Sequence, residues 1–363
     1  MDTYNYIPKL LRSSLVGDKK SIEAIALQIS KSLKKDNPKI SDEIIQIIAN
    51  NNSAKNPYRS VGISPLPVDQ ETRHKLADLY EPIEIAPPVL SDSTSEILDD
   101  FIKERSMIKL FLSEGIEPSN SLLLYGKPGV GKTYIAKWLS YKLEMPLFTL
   151  DLANSISSYL GRSGQNVKSV FEYAKSQNII LFLDEFDAIA KRRDDVADLG
   201  ELKRLVNVLL KELESCPKSC VIIAATNHPE LLDKAIWRRF DRNIEIANPS
   251  ALCREKLFER YLQDKYSDID KSVRVFLIKQ TENLSAADVG RLCEHIKRKN
   301  LMNDKGIDVN ALIEYCEFKG VNDKTEKIAM CKLLKNNCKK LTIQNISDIT
   351  GIPKSSVDRY LKE

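Results

Sequence analysis

The chain has 363 residues, 42 % of them apolar and 29 % charged, which is globular composition with room for two or three domains and excludes a disordered or fibrous class. A formal net charge of +4 is too small to imply a polyanionic partner by itself. Seven scattered cysteines and three histidines argue for reduced thiols and against a disulfide framework or a zinc site, and no apolar run reaches membrane-spanning length.

In chain order, residues 1–51 read as an N-terminal helical domain. Ile22, Ile25, Ala26 and Ile29 recur at helical spacing, and a second helix is expected from Ser41 as cap, with Ile44, Ile45 and Ile48 as its apolar face. Residues 52–91 are rich in Pro, Asn and Ser and read as a linker with one short helix around Thr72–Tyr80. Strands alternate with helices over 92–248, the pattern of a parallel sheet covered on both faces. Helical patterns fill 249–306, and residues 307–363 form a further helical segment.

Within 92–248, an apolar strand Ser121–Tyr125 runs into Gly126, Lys127, Pro128, Gly129, Val130, Gly131, Lys132 and Thr133. This is G-x-x-x-x-G-K-[ST] between a strand and a helix, a phosphate-binding loop. Glycines let the backbone curl so that its N–H groups face an anion, and the following helix adds its positive end. Lys132 is placed to reach the β- and γ-phosphates of ATP, and Thr133 to offer its hydroxyl to Mg²⁺. A second apolar strand, from Ile179, ends in Asp184 and Glu185. Asp184 suits the metal side of the site, and Glu185 is placed to polarise an attacking water. A third strand, Val221–Thr226, ends in Asn227, a polar amide that can orient that water or meet the γ-phosphate.

These residues stand in longer runs. Asn227 lies in Ala-Thr-Asn-His-Pro-Glu-Leu-Leu-Asp, followed by Arg238-Arg239-Phe240-Asp241-Arg242. The run resembles sensor 1 and the second region of homology of AAA ATPases in the narrow sense, the group of membrane proteases, severing enzymes and unfoldases. The family's usual pattern has Pro-Gly between the two arginines. Here they are adjacent, and the resemblance offers both Arg238 and Arg239 as the finger that serves a neighbouring subunit's nucleotide. Ser285-Ala286-Ala287-Asp288 is similar to the Ser-Gly-Ala-Asp that opens the family's last lid helix. Ser158-Tyr159-Leu160-Gly161 resembles the first pore loop, which implies an aromatic tip at Tyr159, Leu160 and Gly161 that grips a peptide by side-chain area. The resemblance covers about residues 92–305.

At the C-terminus, residues 343–361 resemble the helix-turn-helix of DNA-binding regulators, with Gly351 at the turn and Lys354, Ser355, Ser356 and Arg359 on an exposed second helix. The alternative is a three-helix cap used for protein contacts.

Taken together, the sequence predicts an α/β P-loop NTPase sheet with a helical lid, flanked by small all-α N- and C-terminal domains. The resemblance implies an ATP- and Mg²⁺-dependent ATPase, and the reduced thiols point to the cytoplasm. It implies a homo-oligomer, a hexamer by family precedent, that remodels protein substrates through a central pore. A DNA-directed ATPase recruited by the C-terminal motif is the alternative, and a nucleotide switch gating a partner protease is a third class. No membrane partner is expected, and without a His-Glu-x-x-His run the chain carries no zinc protease of its own. The Asp-Leu-Gly-Glu-Leu-Lys-Arg run at 198–204, with Ala-Ile-Trp-Arg-Arg-Phe, resembles bacterial stand-alone AAA proteins often encoded beside a subtilisin-like serine protease, which makes such a protease a candidate partner.

Overall fold

A computed structural model describes residues 6–16, 19–34, 37–44, 66–69, 74–153, 163–191, 199–303, 306–338 and 341–363. The chain divides into two compact units, Met1–Leu66 and Pro67–Glu363.

In the first unit, helices Ile7–Val16 and Lys19–Leu33 pack on one another, and a third helical stretch covers 38–44. This third helix starts earlier than the sequence suggests. Asn37 and Pro38 supply a stronger start, because proline at the first helical position gives up an N–H that has no partner there. Ser41 therefore lies inside the helix, where its N–H donates to Asn37 O at 3.2 Å. Its buried hydroxyl donates to Ser30 O at 3.0 Å, pinning the second helix to the third. Ile45 and Ile48 lie outside the described residues.

The second unit is built on a six-stranded sheet: β1 Asp78–Tyr80, β2 Ser121–Tyr125, β3 Leu147–Asp151, β4 Ile180–Asp184, β5 Val221–Thr226 and β6 Arg242–Glu245. Their order is β1-β3-β4-β5-β2-β6, and every pairing is parallel except β1 with β3. β2, β4 and β5 are almost wholly buried, as strands covered on both faces must be. One face packs on helices 92–106 and 132–143 through Leu98, Phe101, Ile135 and Leu139. The other meets helices 163–176 and 199–214, with Val170, Phe171, Leu205 and Leu209 buried.

The short helix expected around Thr72–Tyr80 is corrected by β1. Residues 78–80 pair with the edge of the sheet, and the open hydrogen-bonding groups of β3 decide against local helical spacing. Residues 81–91 form neither helix nor strand, and side chains donate to three of their carbonyls. The Tyr134 hydroxyl donates to Ala86 O at 2.7 Å, Arg260 to Pro87 O at 2.7 Å, and the Cys253 thiol to Leu90 O at 3.3 Å.

Beyond the sheet, residues 251–362 form helices around one apolar core that runs from Leu257 through Leu292 and Tyr315 to Tyr360. Helix Ala286–Met302 starts with a capping box in which Ser285 and Asp288 bond each other's backbone N–H. Helix Lys324–Asn337 is tied to helix Ile307–Lys319 by the Tyr315 hydroxyl, which donates to the buried Glu326 carboxylate. Glu326 also accepts from Asn322 N at 3.2 Å.

Candidate functional site

Parallel strands deliver their carboxyl ends to one edge of the sheet, where α/β folds place ligands. β2 ends in the loop 126–131, β4 in Asp184 and β5 in Thr226. The loop needs its glycines: Gly126, Gly129 and Gly131 have φ of +148°, +78° and +106°. A Cβ on Gly126 would sit 2.2 Å from Ile246 O, and one on Gly129 would sit 2.6 Å from Ser285 Oγ. Helix Lys132–Leu143 follows at once, so the N–H groups of its first turn have no intrahelical acceptor.

Lys132 is buried at the centre. Its Nζ donates to Gly126 O at 2.8 Å, Lys127 O at 3.0 Å and Asn227 Oδ1 at 2.7 Å. Burial pulls its ammonium below the usual lysine range, while the negative charges of Asp184 and Asp187 work the other way. The Thr133 hydroxyl donates to Asp184 Oδ2 at 3.2 Å, and Asp184 Oδ1 accepts from the Glu185 N–H at 2.9 Å. Glu185 itself is exposed and has a φ of +50°, an uncommon conformation for a residue with a side chain. It turns the chain at the strand tip: Phe186 goes into the core, its N–H donating to Ala225 O at 2.8 Å, while Glu185 stays at the surface. The sequence-predicted residues of the loop, β4 and β5 are thus brought to one place.

The sequence reading missed Asp187, which is 3 % exposed. It accepts from the Thr226 hydroxyl at 3.0 Å and from the Asn227 N–H at 3.2 Å, and so fixes the tip that presents Asn227 to Lys132. The third acid of Asp-Glu-Phe-Asp was the available signal. The lid contact was also unforeseen: the Ala287 N–H donates to Gly129 O at 3.0 Å, so the start of helix 286–302 rests on the phosphate-binding loop.

The two arginines differ. Arg239 is paired with Glu214 on helix 199–214. Arg238 is exposed, and among the described residues it has no ion-pair partner. Phe240 anchors the pair by packing edge-on against Phe186, ring centres 5.8 Å apart.

Tyr159, Leu160 and Gly161 lie outside the described residues. At the C-terminus, helices Ile343–Thr350 and Lys354–Lys362 pack on each other, and the Ser347 hydroxyl of the first donates to Ile352 O in the turn between them at 2.6 Å. Lys354, Ser355 and Arg359 are exposed and Ser356 half-buried. Arg359 lies over the Tyr360 ring at 5.2 Å and 3.9 Å from Glu363, and Lys362 pairs with Asp358 at 2.6 Å. Two of the three cations of this helix are therefore paired locally.

The donor set fits a nucleotide with a hard cation. A curled glycine loop with free N–H groups suits phosphates, and a threonine hydroxyl beside one carboxylate suits Mg²⁺, which takes few protein ligands and completes its shell with phosphate oxygens and water. Among the described residues no cluster of three His, Cys, Asp or Glu could hold a metal by itself, and no helix is long and apolar enough to cross a membrane.

Residues 122–248 match the family described as ATPase family associated with various cellular activities (AAA). An uncharacterized AAA family ATPase, y4kL, of Sinorhizobium fredii is 38 % identical over 50 % of this chain and 54 % of its own length. The proteasome-activating nucleotidase of Methanopyrus kandleri is 31 % identical over 70 % of this chain and 61 % of its own. That of Saccharolobus solfataricus is 32 % identical over 62 % and 58 %. The chain thus spans about half to three-fifths of these relatives' length. In fold it is similar to the FIGL-1 AAA domain solved in complex with ADP, with a TM-score of 0.54 over 68 % of this chain and 89 % of that one at 20 % identity.

Proposed function

We propose that this chain, whose residues 122–248 are an ATPase domain of the AAA family, hydrolyses ATP in a homo-oligomeric ring and spends the energy on remodelling protein substrates. The observation that carries the reading is the convergence at Lys132: one ammonium joins two loop carbonyls to Asn227, beside the Thr133–Asp184 pair. A phosphate chain entering the loop offers Lys132 stronger acceptors than those carbonyls, and the charge that burial disfavours gains its partner. Bound Mg²⁺, held by Thr133 and Asp184, would offset phosphate charge. Glu185 takes the proton of the attacking water, and Asn227 orients that water. Arg238 reaches the neighbouring subunit's nucleotide, and Tyr159 grips an extended polypeptide in the pore.

Protein as the substrate is supported by the relation to proteasome-activating nucleotidases. A hexamer in the cytoplasm, working alongside a separate protease of the subtilisin type, completes the reading. A DNA-directed role is the second reading, favoured by one observation: the paired C-terminal helices leave Lys354, Ser355 and Arg359 exposed on the second of them.

Two variants test the site. Lys132→Ala abolishes nucleotide binding, measured by fluorescent ATP-analogue titration. Glu185→Gln keeps binding and stops phosphate release, since only the proton acceptor changes. Normal turnover in Glu185→Gln refutes the assignment.

A further inference from the structure

Arg238 is exposed, and no ion pair among the described residues locates its guanidinium. Its place is set by the backbone beneath it. Helix Lys234–Trp237 has only four residues, and the arginines close it: the Arg238 N–H donates to Lys234 O at 3.4 Å and the Arg239 N–H to Ile236 O at 2.9 Å. A single turn does not hold itself in position. Past it, the buried Phe240 adds apolar contact and Asp241 adds direction. Asp241 Oδ2 accepts from the Asn120 N–H at 2.8 Å, the Ser121 N–H at 3.1 Å and the Ser121 hydroxyl at 2.9 Å. The Asp241 N–H donates back to Ser121 Oγ at 3.0 Å, so each residue both gives and takes. Asn120 and Ser121 are buried, and the Asn120 amide donates on to Cys220 O at 3.0 Å. The next residue, Arg242, is tied separately to Glu104 on helix 92–106 at 2.6 Å, and β6 pairs with β2 from Arg242 onward.

Ser121 opens β2, and the phosphate loop follows the other end of the same strand at Gly126. One strand of five residues, about 17 Å long, therefore carries the loop that a subunit uses and the clamp beneath the arginine that it lends. A carboxylate oxygen facing three donors has few positions open to it, because bonds to an ionised acceptor are short and directional. From Asp241 to Arg238 is at most about 11 Å of chain. We propose that Asp241 is the positioning residue of the interface arginine Arg238, and that its clamp on Ser121 registers the lent arginine against the phosphate loop through β2. The proposal rests on the reading of Arg238 as the finger. It places Asp241 outside the groups that touch nucleotide.

The test uses the full chain and reads ATP-analogue binding, ring size and phosphate release. Arg238→Ala, Asp241→Ala and Asp241→Asn are each measured alone and co-assembled with Glu185→Gln. Asp241→Ala should keep nucleotide affinity and ring size while hydrolysis falls about 100-fold, the scale of a misplacement of about 1 Å. Co-assembly with Glu185→Gln should restore turnover, because the Asp241→Ala subunit keeps its own site and receives a well-placed arginine from its neighbour. Co-assembly with Arg238→Ala should restore none, since neither subunit lends one. Asp241→Asn keeps an acceptor oxygen and gives up the part-exposed ion pair with Lys218 at 3.8 Å, so its rate should stay within about fivefold of wild type. If Asp241→Ala does not fold, Ser121→Ala takes its place: it removes the bonds of the hydroxyl, keeps those of the N–H groups, and should lose about tenfold with the same pattern of rescue. If Arg238→Ala turns over normally, or is not rescued by Glu185→Gln, the finger reading fails and the proposal with it. If Arg238→Ala is inactive and rescued while Asp241→Ala hydrolyses at the wild-type rate, the finger stands and the clamp is refuted. Loss of nucleotide binding in Asp241→Ala, or failure of Glu185→Gln to rescue it, marks a merely structural aspartate and also overturns the proposal.

Discussion

Replacing Asp187 by alanine should damage stability and turnover together, by separable amounts. The carboxylate takes at least two hydrogen bonds, from the Thr226 hydroxyl at 3.0 Å and the Asn227 N–H at 3.2 Å. Bonds to a charged acceptor are worth about 1.5–3 kcal/mol each, and deleting the carboxylate returns part of its own desolvation cost. Thr226 is 1 % exposed, so its hydroxyl finds no water in exchange. The net loss is about 2–4 kcal/mol, which lowers Tm by about 4–10 °C in a unit of this size. The same change frees the tip of β5, and Asn227 loses the register that sets its Oδ1 2.7 Å from Lys132 Nζ. The kcat should then fall about 10- to 100-fold with little change in KM for ATP, because the phosphate loop is untouched. Asp187→Asn keeps one acceptor oxygen and should lose roughly half as much stability. Differential scanning fluorimetry and a phosphate-release assay read both effects. If Asp187→Ala melts within about 1 °C of wild type and keeps its kcat, the tip is held by something else and the argument fails.

Further outcomes follow from other parts of the site. Arg238→Ala should lower ATP hydrolysis about 10³-fold or more, the scale of an arginine finger, while Arg239→Ala, already engaged by its own Glu214, costs much less; mixing Arg238→Ala with Glu185→Gln protein should restore some turnover in a phosphate-release assay. The reverse ranking of the two arginines would exchange their roles, and concentration-independent activity from a monomer would rule out a shared site. Gly126→Ala puts a Cβ 2.2 Å from the backbone oxygen of Ile246, a residue held by its N–H donating to Tyr125 O at 2.7 Å, so chemical denaturation should show a loss of about 3 kcal/mol or more together with lost nucleotide binding. Lys354→Ala with Arg359→Ala should leave casein-stimulated hydrolysis at the wild-type level and flatten the salt dependence of any DNA retention by about two in log–log slope. Loss of all function in that double variant, with Tyr159→Ala intact, would replace protein by DNA as the target.

Much of this site was legible because its signals are local. A glycine loop, a run of apolar residues and the polar residue that ends it each sit within ten residues of sequence, and parallel pairing then carries all the strand ends to one edge. The helix expected at 72–80 shows where local reading stops. Nothing in Asp78-Leu79-Tyr80 announces a strand, because its partner is an edge 69 residues away at Leu147–Thr149. Asp187 was overlooked for a related reason: its bonds to Thr226 and Asn227 span 39 and 40 residues. The same holds for Glu214 and Arg239, whose pairing sets apart two arginines that look alike in sequence. At Ser41 a local signal was available and misread, since Asn37-Pro38 outranks a serine cap.

The shared core of residues 257–360 has a mechanical corollary. Residue Ala287 sits against the phosphate loop, while the Tyr315–Glu326 bond ties helix 324–337 to the same body and Ile346, Val357 and Tyr360 bring the last two helices into its core. If the lid rotates at Ala287 when the loop changes its contents, helix 354–362, packed on the same core, turns with it. The far end of the chain then behaves as the pointer of a balance: small displacements at the fulcrum become larger ones at the tip. A fluorophore on Lys362 should report nucleotide turnover without touching the site.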